Sequence, residues 1–198
     1  MEAQPVRFEA SSSSPRAARA THTLASLAEL DVEALGRVYD GGTVPASLAA
    51  LDGHPRGRML AVRTLDAGVA ARGLRSFSGA SAFPWGGKSF TADRASSGKG
   101  INRVHLLGRH QLFPFETRFA PSRIDGRPCV LLDYDLPDNP SLIRKIHDEV
   151  REVSPGLFLG PAMWKTETGP ALVLWFALDT AIQAVPIGSA AAGFAGSR

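Results

Sequence analysis

Cysteine is almost missing from this chain: Cys129 stands alone in 198 residues. That excludes an internal disulfide framework and a Cys-rich zinc site. Long apolar runs are missing too, and no stretch approaches the ~20 residues of a membrane-spanning helix. Met1–Arg19 is polar, Ser-rich and broken by charges. It lacks the apolar core of a secretion signal, so a cytoplasmic location is the expectation. The five histidines, His22, His54, His105, His110 and His147, fall at neither His-x3-His nor His-Glu-x-x-His spacing, and no metal site is expected. No Gly-x-Ser-x-Gly elbow occurs, which removes the serine-hydrolase pattern. The run Trp85-Gly-Gly-Lys-Ser-Phe90 lacks the Gly-x4-Gly-Lys-Ser/Thr spacing of a phosphate loop, so nucleotide binding gains nothing from it. No cofactor is expected.

Neither sign of charge dominates: 22 Lys+Arg against 19 Asp+Glu leave +3. The isoelectric point near 9.4 suggests nucleic acid until the charge is located. Residues 94–127 carry seven basic side chains against two acidic, and residues 128–180 carry eight acidic against four basic. Adjacent segments of opposite sign neutralise one another when they pair. A sustained basic stripe with interleaved aromatics is absent, and nucleic-acid binding is not expected.

What is present is turn chemistry. Gly (20) and Pro (14) together exceed their usual ~12% share. With 44% hydrophobic residues, this is one globular domain over residues 23–180. A flexible arm (1–22) and tail (181–198) are expected on either side. Leu24, Leu27, Leu30, Leu35, Val38 and Tyr39 recur at helical spacing, with Asp31 as a cap and Gly41-Gly42 as a stop. This helical lead reads as a lid or plug on a sheet.

From Gly57 onward the pattern becomes short extended runs. Arg58–Leu65, a weaker Leu74–Phe83, Arg103–Leu107, Leu112–Phe119 and Cys129–Asp135 read as strands. Ile124-Asp-Gly-Arg127 is a hairpin turn. Asn139-Pro140, followed by Leu142, Ile143, Ile146, Val150 and Val153 and by i,i+4 charge pairs, predicts a helix ending at Pro155-Gly156. Leu157–Lys165 and Ala171–Leu178 form the last and most apolar hairpin. The fold class is therefore mainly β: a β-barrel or strongly curved antiparallel sheet, with an N-terminal helical segment and one helix before the last hairpin. A barrel of about eight strands can hold one small ligand.

The candidate site residues follow from this layout. Trp85, Lys88 and Phe90 join an aromatic, glycines and a cation, which suits a ligand with an anionic end; the plain alternative is a glycine turn with Trp85 as a plug. Asp133 and Asp135 share one face of a strand, with Tyr134 opposite. The two acids could share a proton, or simply pair with Arg118, Arg123 or Arg127. His110, beside a turn, could serve as a base. Cys129 reads as a buried, inert thiol. Phe115, Trp164 and Trp175 are aromatic candidates for a greasy lumen. The strand at 171–178 is apolar on both faces, so one face must meet a helix and the other the interior.

Trp85-Gly86-Gly87, continued by Lys88 and Phe90, resembles the second half of the core motif of the small GxWxG proteins of unknown function. Leu132-Asp-Tyr-Asp-Leu-Pro137 and Gly156-Leu-Phe-Leu-Gly160 continue the likeness downstream. Phe83 departs from it, standing where the first glycine belongs. The resemblance implies a lipocalin-like barrel. Two functions are consistent with these residues, and a third reading is a structural or partner-binding domain whose barrel is filled. The first is binding of a small hydrophobic ligand, lipid- or polyketide-like and with room for an anionic end, oriented by Lys88 or Arg118. The second is a cofactor-free isomerase or cyclase using Asp133, Tyr134 or His110.

Overall fold

The computed structural model describes residues 21–62, 85–104 and 110–185. Two helices come first, α1 (Leu24–Ala28) and α2 (Val32–Asp40). Thr23 and Ser26 close a capping box on α1, and the Asp31 carboxylate accepts from Ala34 N at 2.7 Å to start α2. Eight strands follow: β1 (Pro55–Val62), β2 (Trp85–Arg94), β3 (Ser97–Val104), β4 (His110–Pro121), β5 (Pro128–Asp133), β6 (Ile146–Ser154), β7 (Leu157–Thr166) and β8 (Gly169–Gln183). Each pairs antiparallel with the next, and β8 pairs with β1, so the sheet closes into an up-and-down barrel. Among the described strands, closure leaves no unpaired edge to aggregate. The expected arm to residue 20, the strand at Leu74–Phe83 and the tail from 186 lie outside the described residues.

Strand β8 shows why the barrel holds together. Leu174, Phe176 and Leu178 enter the lumen core, while Trp175 and Ala177 pack beneath α1 and α2. The two-faced apolar strand meets a helix layer on one side and the interior on the other, as its sequence requires. The helices cover the outer wall, and a 3-10 turn at Leu48–Leu51 plugs one end of the barrel with Leu48 and Leu51.

Two expectations are corrected. The run Trp85–Phe90 is not a turn but the start of β2. Its Gly87 has φ +106 and lies against Gly57 of β1 so closely that no Cβ fits. The helix expected over 140–153 is replaced by one 3-10 turn, Ile143–Lys145, and from Ile146 onward by strand β6. Residues Ile146, Asp148 and Val150 face the lumen, and Glu149 and Arg151 lie under α2 and the β4–β5 turn, with His147 beside Glu149 on the same face. Both faces are covered, so helix-like spacing of apolar residues concealed a period of two. Asn139 does not cap a helix. Its amide donates to the carbonyls of Pro114 (2.8 Å) and Tyr134 (2.9 Å) and ties the end of β5 to β4.

The outer face of β6 carries a buried polar network. Glu149 accepts from Ser122 Oγ (2.5 Å), Tyr39 Oη (3.2 Å), Arg123 N (3.1 Å) and Cys129 Sγ (3.4 Å), with His147 Nε2 at 3.3 Å. Arg151 grips Asp125 through two bonds of 2.9 and 2.7 Å and lies over the Tyr39 ring. This network pins α2 to the barrel. Cys129 is buried within it, and burial, reinforced by Glu149, pushes its thiol up, which keeps it inert.

Gly160 of β7 faces β6 where a Cβ would overlap the Glu149 carbonyl. Gly160→Ala is expected to destabilise the protein by about 1–3 kcal/mol or more, read by chemical denaturation. Burial raises the Glu149 pKa, but its hydrogen bonds, led by His147 and Ser122, more than offset this and leave it lowered. A lowered folded pKa gives stability that is full above the ordinary carboxylate value and lost as pH falls through the folded one. Melting temperature should therefore hold near neutrality and drop below about pH 4. Glu149→Gln should cost about 1–3 kcal/mol near neutral pH and flatten the acid limb.

Candidate functional site

The lumen has two halves. Toward the plugged end it is filled by Phe90, Phe115, Leu132, Val150, Phe158 and Leu178. Toward the other end lies a cavity of about 70 Å³. That is several times the ~10–15 Å³ an ordered water needs, and about half the ~150 Å³ that admits benzene. Its hydrocarbon walls come from Met59, Ile146, Trp164, Val173, Leu174 and Phe176.

Two bulges shape these walls. Ala162 pairs with Leu174 and Met163 with Leu172, so Val173 is an extra residue in β8. In β4, Ile101 pairs with Pro114 and Asn102 with Leu112, so Phe113 is extra there. Phe113 has φ +61, a left-handed conformation that costs a bulky residue about 1–3 kcal/mol. In return its ring reaches the cavity and its carbonyl accepts from Asn102 Nδ2 at 3.2 Å.

At the boundary between the two halves sits a polar cluster drawn from four segments. Lys88 of β2 is buried, and its Nζ lies 2.9 Å from Asp148 Oδ2 of β6. It also donates to Tyr134 Oη (2.5 Å), just beyond β5, and to Asn102 Oδ1 (2.8 Å) of β3. Tyr134 Oη donates to Asp148 Oδ2 (3.1 Å) and accepts from Asn102 Nδ2 (3.0 Å). Trp85 Nε1 completes the group on Asn102 Oδ1 at 3.2 Å. The rings of Phe176, Tyr134, Phe115 and Trp85 lie 5.1–5.4 Å from the ammonium, within cation–π range.

Electrostatics follows from burial. Loss of water lowers the Lys88 pKa, and the Asp148 charge and hydrogen bond oppose that shift. Burial, then the Asp148 charge, pushes the Tyr134 phenol well above its ordinary value, so it remains neutral.

Of the residues singled out by sequence, Trp85, Lys88, Tyr134 and Trp164 border the cavity. Phe90 and Phe115 are in the packed half. Trp175 faces outward beneath the helices, with its ring 5.5 Å from Tyr39. Asp133 binds Arg118 (3.0 Å) on the outer surface and has Lys165 at 3.7 Å; Asp135 binds Arg144 (2.6 Å). His110 is exposed at the start of β4. These acids are therefore surface ion-pair partners, and neither they nor Arg118 and His110 line the cavity. Asp148 and Asn102 were missed. Asp148, with Arg144, makes one of the i,i+4 charge pairs that a helix over this segment would expose; the period-two run Ile146-x-Asp148-x-Val150 is the signal that marks it as inward-facing on a strand. Asn102 has no comparable signal.

Among the described residues no cluster of three or more His, Cys, Asp or Glu could hold a metal ion, and no helix is long and apolar enough to cross a membrane. No protein-family model and no curated protein matches the chain, so membership of the GxWxG family is not established. Among solved structures, a crystal structure of a protein from Thermomonospora curvata aligns over 76% of this chain and 87% of that one, at 20% identity and a TM-score of 0.42.

Breaking the buried pair from one side should be costly. Lys88→Met leaves Asp148 uncompensated and is expected to lose about 3–5 kcal/mol in urea denaturation, whereas Lys88→Met combined with Asp148→Leu should recover most of it. A double variant as unstable as the single one would show that the ion pair is not what holds this region.

Proposed function

We propose that the protein binds a small hydrophobic molecule, or the polar end of a longer one, in the unfilled half of the barrel. The observation that carries this reading is the cavity of about 70 Å³ between hydrocarbon walls, beside a part of the lumen occupied by buried side chains. Natural interiors leave few voids larger than a water molecule, and an apolar one with a few convergent polar groups is the usual form of a ligand site. The polar cluster at its floor supplies the few convergent polar groups that orient a ligand. Lys88 is already matched by Asp148, which favours a neutral polar end over an anionic one. Of the three acid/base candidates only Tyr134 borders the cavity, and as a neutral, fully engaged phenol it supports binding better than proton transfer.

Native mass spectrometry of freshly purified protein, with extraction of any bound molecule, tests this directly. A panel of fatty acids, fatty alcohols, polyketides and sterol-like compounds should contain ligands that raise the melting temperature. A ligand at a hundred times its Kd adds about 2.7 kcal/mol, a shift of several degrees. Ala162→Leu, which fills the space, should abolish the shift. No recovered molecule and no shift from any compound would overturn the reading.

A further inference from the structure

We infer that the lumen selects a neutral hydrogen-bond donor, a hydroxyl on a hydrophobic body, and that Asp148 Oδ1 is the atom that receives it. The inference rests on the proposal that the lumen binds a ligand, and it specifies which one.

The argument is a count of hydrogen-bonding capacity. An ammonium has three N–H donors, and those of Lys88 meet Asn102 Oδ1, Tyr134 Oη and Asp148 Oδ2. The amide of Asn102 has two hydrogens, directed to Phe113 O and Tyr134 Oη, and its oxygen accepts from both Lys88 and Trp85. The Tyr134 hydroxyl gives its hydrogen to Asp148 Oδ2. Every donor in the cluster is thus spent. One atom is left over: among the described residues, no protein group partners the buried Asp148 Oδ1, on a side chain that lines the cavity. Leaving a buried acceptor unmet is costly, and more so on a charged group.

Ligand classes then separate by sign and by hydrogen-bond direction. A carboxylate would bring a second negative charge to Asp148 with no free donor to receive it. An ammonium would bring a second positive charge beside Lys88, in surroundings where charges are poorly screened. A ketone or ester offers only an acceptor to an acceptor. An amide could donate, but its carbonyl would then face hydrocarbon unpaired. A hydroxyl donates one hydrogen, carries no charge and leaves the Lys88–Asp148 balance intact.

The test is a matched series, 1-pentanol, pentanoate, 2-pentanone, pentylamine and pentane, titrated near neutral pH into the full chain and followed by NMR chemical shifts and thermal shift. The alcohol is expected to bind about 10–100-fold tighter than the ketone or the alkane, with the two ions weaker still. Asp148→Asn should remove that preference. If Asp148→Asn does not fold, the wild-type series still decides. A carboxylate, amine, ketone or alkane that binds as tightly as the alcohol overturns the inference while leaving lumen binding intact. Absence of binding by every member of the series and of the wider panel removes the lumen reading itself, and this inference with it.

Discussion

An ammonium taken out of water must be neutralised, and that requirement at Lys88 organises the interior. Strand β2 alone cannot meet it. The counter-charge comes from β6, the hydroxyl from the end of β5, the amide from β3, and four aromatic rings close around the remainder. The cluster therefore ties the neighbouring strands β2 and β3 across the lumen to β6 and the end of β5, which the hydrogen-bond ladder joins to them only through intervening strands. Asn139, bound to the carbonyls of Tyr134 and Pro114, supports it from below the β5 terminus. The strained bulge at Phe113 is maintained by the same framework, since its carbonyl is one of the amide's two acceptors.

Asp148 and Glu149 show how a single strand serves two interiors. They are adjacent in sequence and both buried, yet alternation sends one carboxylate into the lumen and the other outward beneath α2. The first leaves an oxygen unmet at a cavity. The second is saturated by hydrogen bonds from Ser122, Tyr39, Arg123, Cys129 and His147. Saturation makes the outer network a fastening for the helix layer; the proposed ligand site draws on the incompleteness of the inner one.

Much of the architecture was readable from residue order. The apolar strand at 171–178 announced two covered faces, Asp31 announced a helix start, and Asp125-Gly126 announced a turn, with Gly126 at φ +73. Opposite charges on the neighbouring segments announced surface pairs such as Arg118–Asp133. The segment 140–153 misled because β6 buries polar residues on its outer face. His147, Glu149 and Arg151 then look like the solvated side of a helix, and their partners, Tyr39, Ser122 and Asp125, are distant in sequence. The site was half legible for the same reason. Aromatics and a lysine beside glycines are visible in a string of letters, whereas the partner of a buried lysine is set by the register of strands sixty residues away.

The three tryptophans are divided between the two interiors. Trp85 and Trp164 border the lumen cavity, and Trp175 lies in the layer between barrel and helices beside Tyr39. The indole of Trp85 is hydrogen-bonded to Asn102, while the Trp175 Nε1 has no hydrogen-bond partner among the described residues. Their ring nitrogens thus sit in different polarity, and their emission should differ accordingly. The chain carries separate optical reporters for the state of its lumen and for whether its helices remain docked.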